Sequence, residues 1–430
     1  MKFNKKLIFL LLTVVALSCS RKEDPIVTSD SFSILLKSDA GTDEVLVVGL
    51  NTAVVFTVEG SDGQNYTNEA QIFVDNNLIE GNTYIFENVG QFTAKAVYNG
   101  KTSNELSFEV LEPTARVLTI DVPKALRNQT VTFGLKNDRG EDTADEATFY
   151  VNGNAISGKT FSSPTPNAFE VYATYVVNDE TYTTEPLPFE VFIPKRKVVV
   201  EDYTGTWCGF CPAVALAVEE LRAVTNDVAI VAIHKSSSSI PDPLNFPRIA
   251  DLQAMFNVDN GFPKAQINRT SPWPKPYDLN LVTTMAGKNT DVSIAVSSRL
   301  NGNDLTVKVD VVYENGSVSG DKVVVYLLEN GVVSPQANYY NETPGHPYQG
   351  LGNPIPNYVH NDGLRNALSD LFGDPIRQMP AFDVFSKSYD FTIPTNYVGE
   401  NLSFVVMVVD ADNNAKNAQF AKINERKAFE

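Results

Sequence analysis

A multidomain, mostly β chain is what this sequence predicts: two N-terminal β-sandwiches, one α/β domain, and a C-terminal β-sandwich with a long insertion. Three observations predict it. Short runs of Val, Thr, Phe and Tyr, punctuated by Asn-Gly and Asp-Gly, fill most of the chain. A residue pattern between 31 and 193 occurs twice. One stretch, 197–268, breaks the alternation and reads strand, helix, strand, helix, strand. At 430 residues the chain has room for several apolar cores.

The first element is an address. Residues 1–18 carry Lys2, Lys5 and Lys6, then an apolar core over 7–15, then Ala16-Leu17-Ser18 before Cys19. This is a secretory signal, too short for a membrane span. A cysteine directly after small residues resembles a bacterial lipobox, which implies that Cys19 is the lipidated first residue of the mature chain. Ser20-Arg21-Lys22-Glu23-Asp24 resembles the export tag of surface lipoproteins in Bacteroidota, and reads equally as a solvated tether over residues 19–30. The expected location is the outer membrane, at the cell surface, with several acyl chains giving a stable hold.

Charge narrows the partners. The formal net charge is −18, and loss of the basic signal makes the mature chain more acidic still. Nucleic acid and electrostatic adsorption to anionic lipid are disfavoured. The cysteines are Cys19, Cys208 and Cys211. One disulfide is therefore available after the signal, so the folds rest on apolar cores.

The repeat places residues 31–112 and 113–194 as two sandwiches. Phe56, Ala96 and Tyr98 correspond to Phe133, Ala173 and Tyr175 at an offset of 77, and Phe108 corresponds to Phe189 at 81. Alternation such as Phe92-x-Ala94-x-Ala96 turns one face inward. The spacing suits small antiparallel sandwiches of immunoglobulin-like architecture, which serve as spacers or present a surface to a ligand.

Residues 195–289 form the expected α/β domain. A strand over 197–203 leads into Trp207-Cys208-Gly209-Phe210-Cys211-Pro212. A helix follows over 212–225, with Val214, Ala217, Leu221 and Val224 on one face and Pro212 in the first turn, where its missing N–H costs nothing. A second strand covers 228–234, a second helix 247–256, and a third strand follows Phe262-Pro263. A helix is also expected over 277–286. A Cys-x-x-Cys between strand and helix is a redox arrangement, because the helix N-terminus favours a thiolate at the first sulfur. Residues 290–430 return to alternation, with a loop over 339–356 and a short helix expected at 363–372.

Residues 197–268 resemble a thioredoxin fold. With the lipoprotein N-terminus and the long C-terminal β region, residues 195–430 resemble the outer membrane protein 28 family of Bacteroidota lipoproteins. The resemblance implies Cys208 as an accessible attacking thiolate and Cys211 as the buried resolving thiol. It implies Asp202, six residues before Cys208, as the acid that exchanges a proton with Cys211. Trp207, Phe262 and Pro263 would line the substrate side, Pro263 at the position of a cis-proline. No cofactor is implied. A structural zinc site needs four ligands, and this cysteine pair has no second pair.

The expected function is thiol–disulfide exchange on exported proteins by a lipid-anchored oxidoreductase. The competing reading is a non-catalytic surface adhesin or binding lipoprotein in which the cysteine pair staples a helix start. Expected partners are the outer membrane through Cys19, exported thiols or disulfides, and a surface ligand for the β domains.

Overall fold

The computed structural model describes residues 32–259 and 261–430. The expected signal peptide, Cys19 and the tether lie outside the described residues. The described chain is mostly β and forms several sheets. It divides into two compact units. Among the described residues, one comprises 32–117 together with 135–143; the other holds 118–134 and 144–430.

The repeat visible in the sequence is a repeat of topology. In the first copy, Val45–Gly49 lies beside Leu106–Leu111, then Gly90–Tyr98 and Gln71–Val74. In the second, Lys124–Leu126 lies beside Leu187–Phe192, then Asn167–Val177 and Thr148–Val151. A three-stranded sheet accompanies each. The equivalent aromatics Phe56 and Phe133 are both fully buried, as are Phe108 and Phe189. One feature differs from the antiparallel expectation. In each copy the first edge strand of the larger sheet runs parallel to the last strand, because the chain crosses between sheets after its opening strand.

From residue 198 the elements are β1 (Val198–Thr204), α1 (Pro212–Val224), β2 (Val228–His234), α2 (Ile249–Met255), β3 (Lys264–Ile267), β4 (Ser271–Pro272) and α3 (Asn280–Thr283). There follow β5 (Val292–Asn301), β6 (Asp304–Tyr313), β7 (Lys322–Glu329), β8 (Val332–Gln336), β9 (Ile355–His360) and β10 (Gly363–Ala367). The last are β11 (Asp374–Pro375), β12 (Val384–Thr392), β13 (Leu402–Val409), β14 (Ala415–Lys422) and β15 (Arg426–Lys427).

These do not separate into two sheets at residue 289. One nine-stranded sheet runs β4-β3-β1-β2-β10-β7-β13-β14, with β11 beside β7. β1 and β2 are parallel, Val198 opposite Val228 through Thr204 opposite His234, with α1 as their crossover. β10 joins the halves: Gly363 pairs with Ala232 of β2 and with Glu329 of β7. The short helix expected at 363–372 does not form. These residues begin instead with a strand, because the sheet requires an edge-to-edge bridge there and Leu364 fills its core. The helix expected over 277–286 shrinks to the single turn α3.

β7 and β13 are buried on both faces, which is why they are nearly continuous apolar runs. Val323, Val325 and Leu327 pack against the four-stranded sheet β12-β6-β5-β15. Val324, Tyr326 and Leu328 pack toward α2 and β1. α1 closes the other side of β1 through Val214, Ala217, Val218 and Leu221, an i, i+3, i+4, i+7 stripe.

Candidate functional site

β1 is buried along its whole length, and its side chains alternate between two cores. Val198 and Val200 lie under α1. Val199 and Tyr203 lie on the opposite core. The same alternation sends Asp202 to the α1 face and Glu201 to the other.

After β1 the chain turns at Gly205. A Cβ there would stand 2.7 Å from Trp207 Nε1 and 2.8 Å from the Lys235 carbonyl. Glycine therefore allows the indole N–H to donate to that carbonyl, at 2.6 Å. The Cys208 N–H donates to the Gly205 carbonyl at 3.0 Å. Cys208 and Cys211 form a disulfide, with Cα atoms 5.4 Å apart. Cys211 is the N-cap of α1 and Pro212 opens the helix, as the sequence pattern requires.

Exposure of the first cysteine departs from expectation. Cys208 is 4% exposed and Cys211 2%. The reason lies far along the chain. The Gln336 side chain donates to the Cys208 carbonyl at 2.9 Å, and the Tyr339 N–H donates to the Gly209 carbonyl at 2.9 Å. The Tyr339 ring lies so close over Gly209 that a Cβ would be 2.4 Å from it.

Asp202 is buried, and its Oδ1 has no protein hydrogen-bond partner. Burial pushes its carboxyl up to about 8. Asp202 and Cys211 line one cavity of about 80 Å³ beside α1, room for a few waters. Glu219 and Arg222 of α1, His234 and His360 line it too. His234, at the end of β2, is satisfied: its Nδ1 lies 2.9 Å from Asp242 Oδ2. Asp242 is held below the usual carboxylate range. Burial opposes this, but the His234 contact and the N–H groups of Thr206 and Leu244 outweigh it. His360 is pushed down to about 4, first by burial and then by His234, whose ring is 5.3 Å away.

On the other side of the turn, the Phe262–Pro263 bond is cis. Trp207 stacks on Phe262 with ring centroids 6.0 Å apart. Pro263, Phe210, Trp273, Lys275 and Tyr340 line an open groove of about 440 Å³. Phe210 is 49% exposed, the residue between the cysteines that faces solvent. The fold thus gathers Asp202, Trp207, Cys208, Cys211, Phe262 and Pro263 around one turn.

Sequence reading missed two groups. The first is Gln336 with Tyr339 and Tyr340, whose approach to the turn has no local signature. The second is a buried ion pair. Arg269 Nε donates to Glu201 Oε1 at 2.8 Å and its Nη2 to the Tyr326 hydroxyl at 2.6 Å. Both charged side chains are wholly buried. Burial works against the Arg269 charge, but Glu201 and Tyr326 outweigh it and the guanidinium stays protonated. A glutamate inside an otherwise apolar strand was the available signal, since such a charge demands a partner.

Residues 250–427 match the family model described as outer membrane protein Omp28. On this match the protein is assigned to the outer membrane, the location expected from its sequence. The matched segment contains Phe262, Pro263, Arg269 and Tyr339 and begins after the cysteine pair. Among solved structures, HBP35 of Porphyromonas gingivalis is similar at 17% identity and TM-score 0.42, over 54% of this chain and 76% of that one. A domain of the outer membrane lipoprotein Omp28 from Porphyromonas gingivalis is similar at 20% identity and TM-score 0.21, over 31% and 89%. Fibronectin(III)-like modules of Clostridium thermocellum CbhA match at 14% identity and TM-score 0.17, over 37% and 93%. No curated protein matches the chain.

Proposed function

We propose that this outer-membrane protein is anchored by lipid at Cys19, displayed at the cell surface, and carries a thioredoxin-like unit that exchanges disulfides with exported proteins. The observation that carries the reading is the shared cavity of Asp202 and Cys211 behind a Cys208–Cys211 disulfide at a helix start. The Phe262–Pro263 turn on the other side, with Trp207 stacked on Phe262, supports it. The two sandwiches act as a stalk between the anchor and this unit.

The chemistry follows from the placement. A partner thiolate attacks Cys208 Sγ, the Cys208–Cys211 bond breaks, and Cys211 leaves as a thiolate. Asp202, protonated below about pH 8, supplies the proton to Cys211. In the reverse direction the Cys208 thiolate attacks a partner disulfide, and Cys211 resolves the mixed disulfide while Asp202 accepts its proton. Trapping tests this. Cys211→Ser is expected to accumulate mixed disulfides between Cys208 and exported proteins, and Cys208→Ser is not. Equal and negligible trapping by both variants refutes exchange as the function.

The 4% exposure of Cys208 favours a second reading, a binding lipoprotein in which the disulfide staples the start of α1. Under it, Cys208→Ser with Cys211→Ser leaves surface display and ligand binding intact, and neither single variant traps a partner.

A further inference from the structure

The turn that holds Cys208 is covered by a segment more than a hundred residues away, and that cover is built. The Ala337 N–H donates to the Thr206 carbonyl at 2.8 Å, and the Tyr339 N–H to the Gly209 carbonyl at 2.9 Å. These two bonds flank Cys208, whose own carbonyl accepts from Gln336. Between them Asn338 is fully buried and fixes the backbone. Its side chain donates to the carbonyls of Tyr348 and Gly352, each at 2.9 Å, and its N–H donates to Asn353 at 2.9 Å. Tyr339 is different: it is 58% exposed. Its ring rests on Gly209 and meets Phe210 edge-on at 5.0 Å. The backbone of the segment is pinned, whereas the ring has solvent on its far side.

We infer that Tyr339 is the access-determining residue of the Cys208–Cys211 site: the ring blocks approach to the disulfide until it turns away from Gly209. This rests on the redox reading above and adds its selectivity. A partner must displace an aromatic ring that packs on Gly209 and Phe210, so the site favours cysteines flanked by apolar side chains over small hydrophilic thiols.

Dithiothreitol is the probe, applied to the oxidised full-length protein. One of its thiolates attacks Cys208 Sγ, the Cys208–Cys211 bond breaks, and Cys211 leaves and is protonated. The second thiol attacks the mixed disulfide, releasing the Cys208 thiolate and cyclic oxidised dithiothreitol. Two electrons pass to the protein. Tyr339→Ala is expected to raise the reduction rate about tenfold or more, since attack rate follows access to the sulfur. Tyr339→Phe keeps the ring and is expected to keep the slow rate. Gly209→Ala places a Cβ against the ring, pushes it off, and raises the rate without further gain in the double variant with Tyr339→Ala. Reduction of Tyr339→Ala at the wild-type rate overturns the inference. If Tyr339→Ala is reduced fast yet its Cys211→Ser derivative traps no exported protein, the cover stands and the exchange function fails.

Discussion

Replacing Asp202 with asparagine is expected to stabilise the protein, and to do so more as the pH rises. The carboxyl is buried without a protein partner for Oδ1, and burial raises it from 3.8 to about 8. The folded state therefore holds a proton that the unfolded chain gives up. The stability contributed by that proton is complete below pH 3.8 and is lost as pH climbs through 8. For one proton the loss is about 1.4 kcal/mol per pH unit between those limits. It amounts to about 2 kcal/mol at pH 5 and about 4 kcal/mol at pH 7, levelling off above pH 9 at roughly 6 kcal/mol. Asp202→Asn has no such proton, so the gap between variant and wild type widens with that slope. The chain has two tryptophans, Trp207 and Trp273, both packed beside β1 and its neighbours. Urea unfolding followed by tryptophan fluorescence therefore reports this region and not the sandwiches. Curves for the two proteins measured at pH 5, 6 and 7 decide the matter. A stability difference that stays constant across that range refutes the argument that burial of an ionisable Asp202 governs it.

Two further outcomes are expected. Arg269→Met strands the Glu201 carboxylate in the core and is expected to cost about 3–5 kcal/mol in the same unfolding assay. Adding Glu201→Gln should restore part of that loss, and a double variant as unstable as the single one contradicts the pairing. Cys19→Ser is expected to shift the protein from the membrane to the soluble fraction and to abolish labelling by a fatty-acid precursor; unchanged membrane fractionation removes the proposed anchor.

Local patterns of the chain were sufficient for much of the fold. The repeat between Phe56 and Phe133 marked two sandwiches, because a buried aromatic in a half-buried strand recurs when the topology recurs. Val214, Ala217 and Leu221 marked α1, because one face of a helix has to be apolar to lie on a sheet. The two-sided burial of β7 and β13 is not legible in the sequence, since a run apolar at nearly every position does not say which neighbour covers which face. The stretch at 363–372 was misread for a related reason. Gly363 and Leu364 hold a strand through partners more than thirty residues away in β2 and β7, and no local preference encodes that.

The sequence by itself determined the chemistry available to this protein: one Cys-x-x-Cys pair, a proline opening the helix behind it, an acid six residues earlier and a proline turn to face it. Those are short-range arrangements, fixed by the pitch of a helix and the two-residue alternation of a strand. Only the tertiary structure decided how far that chemistry is open to the outside. A single sheet carries the strand of Asp202 and the strands of the C-terminal half, and this continuity lays Gln336, Asn338 and Tyr339 across the turn. Burial and access depend on which distant segments share a core, and packing between distant segments is settled by the whole chain at once.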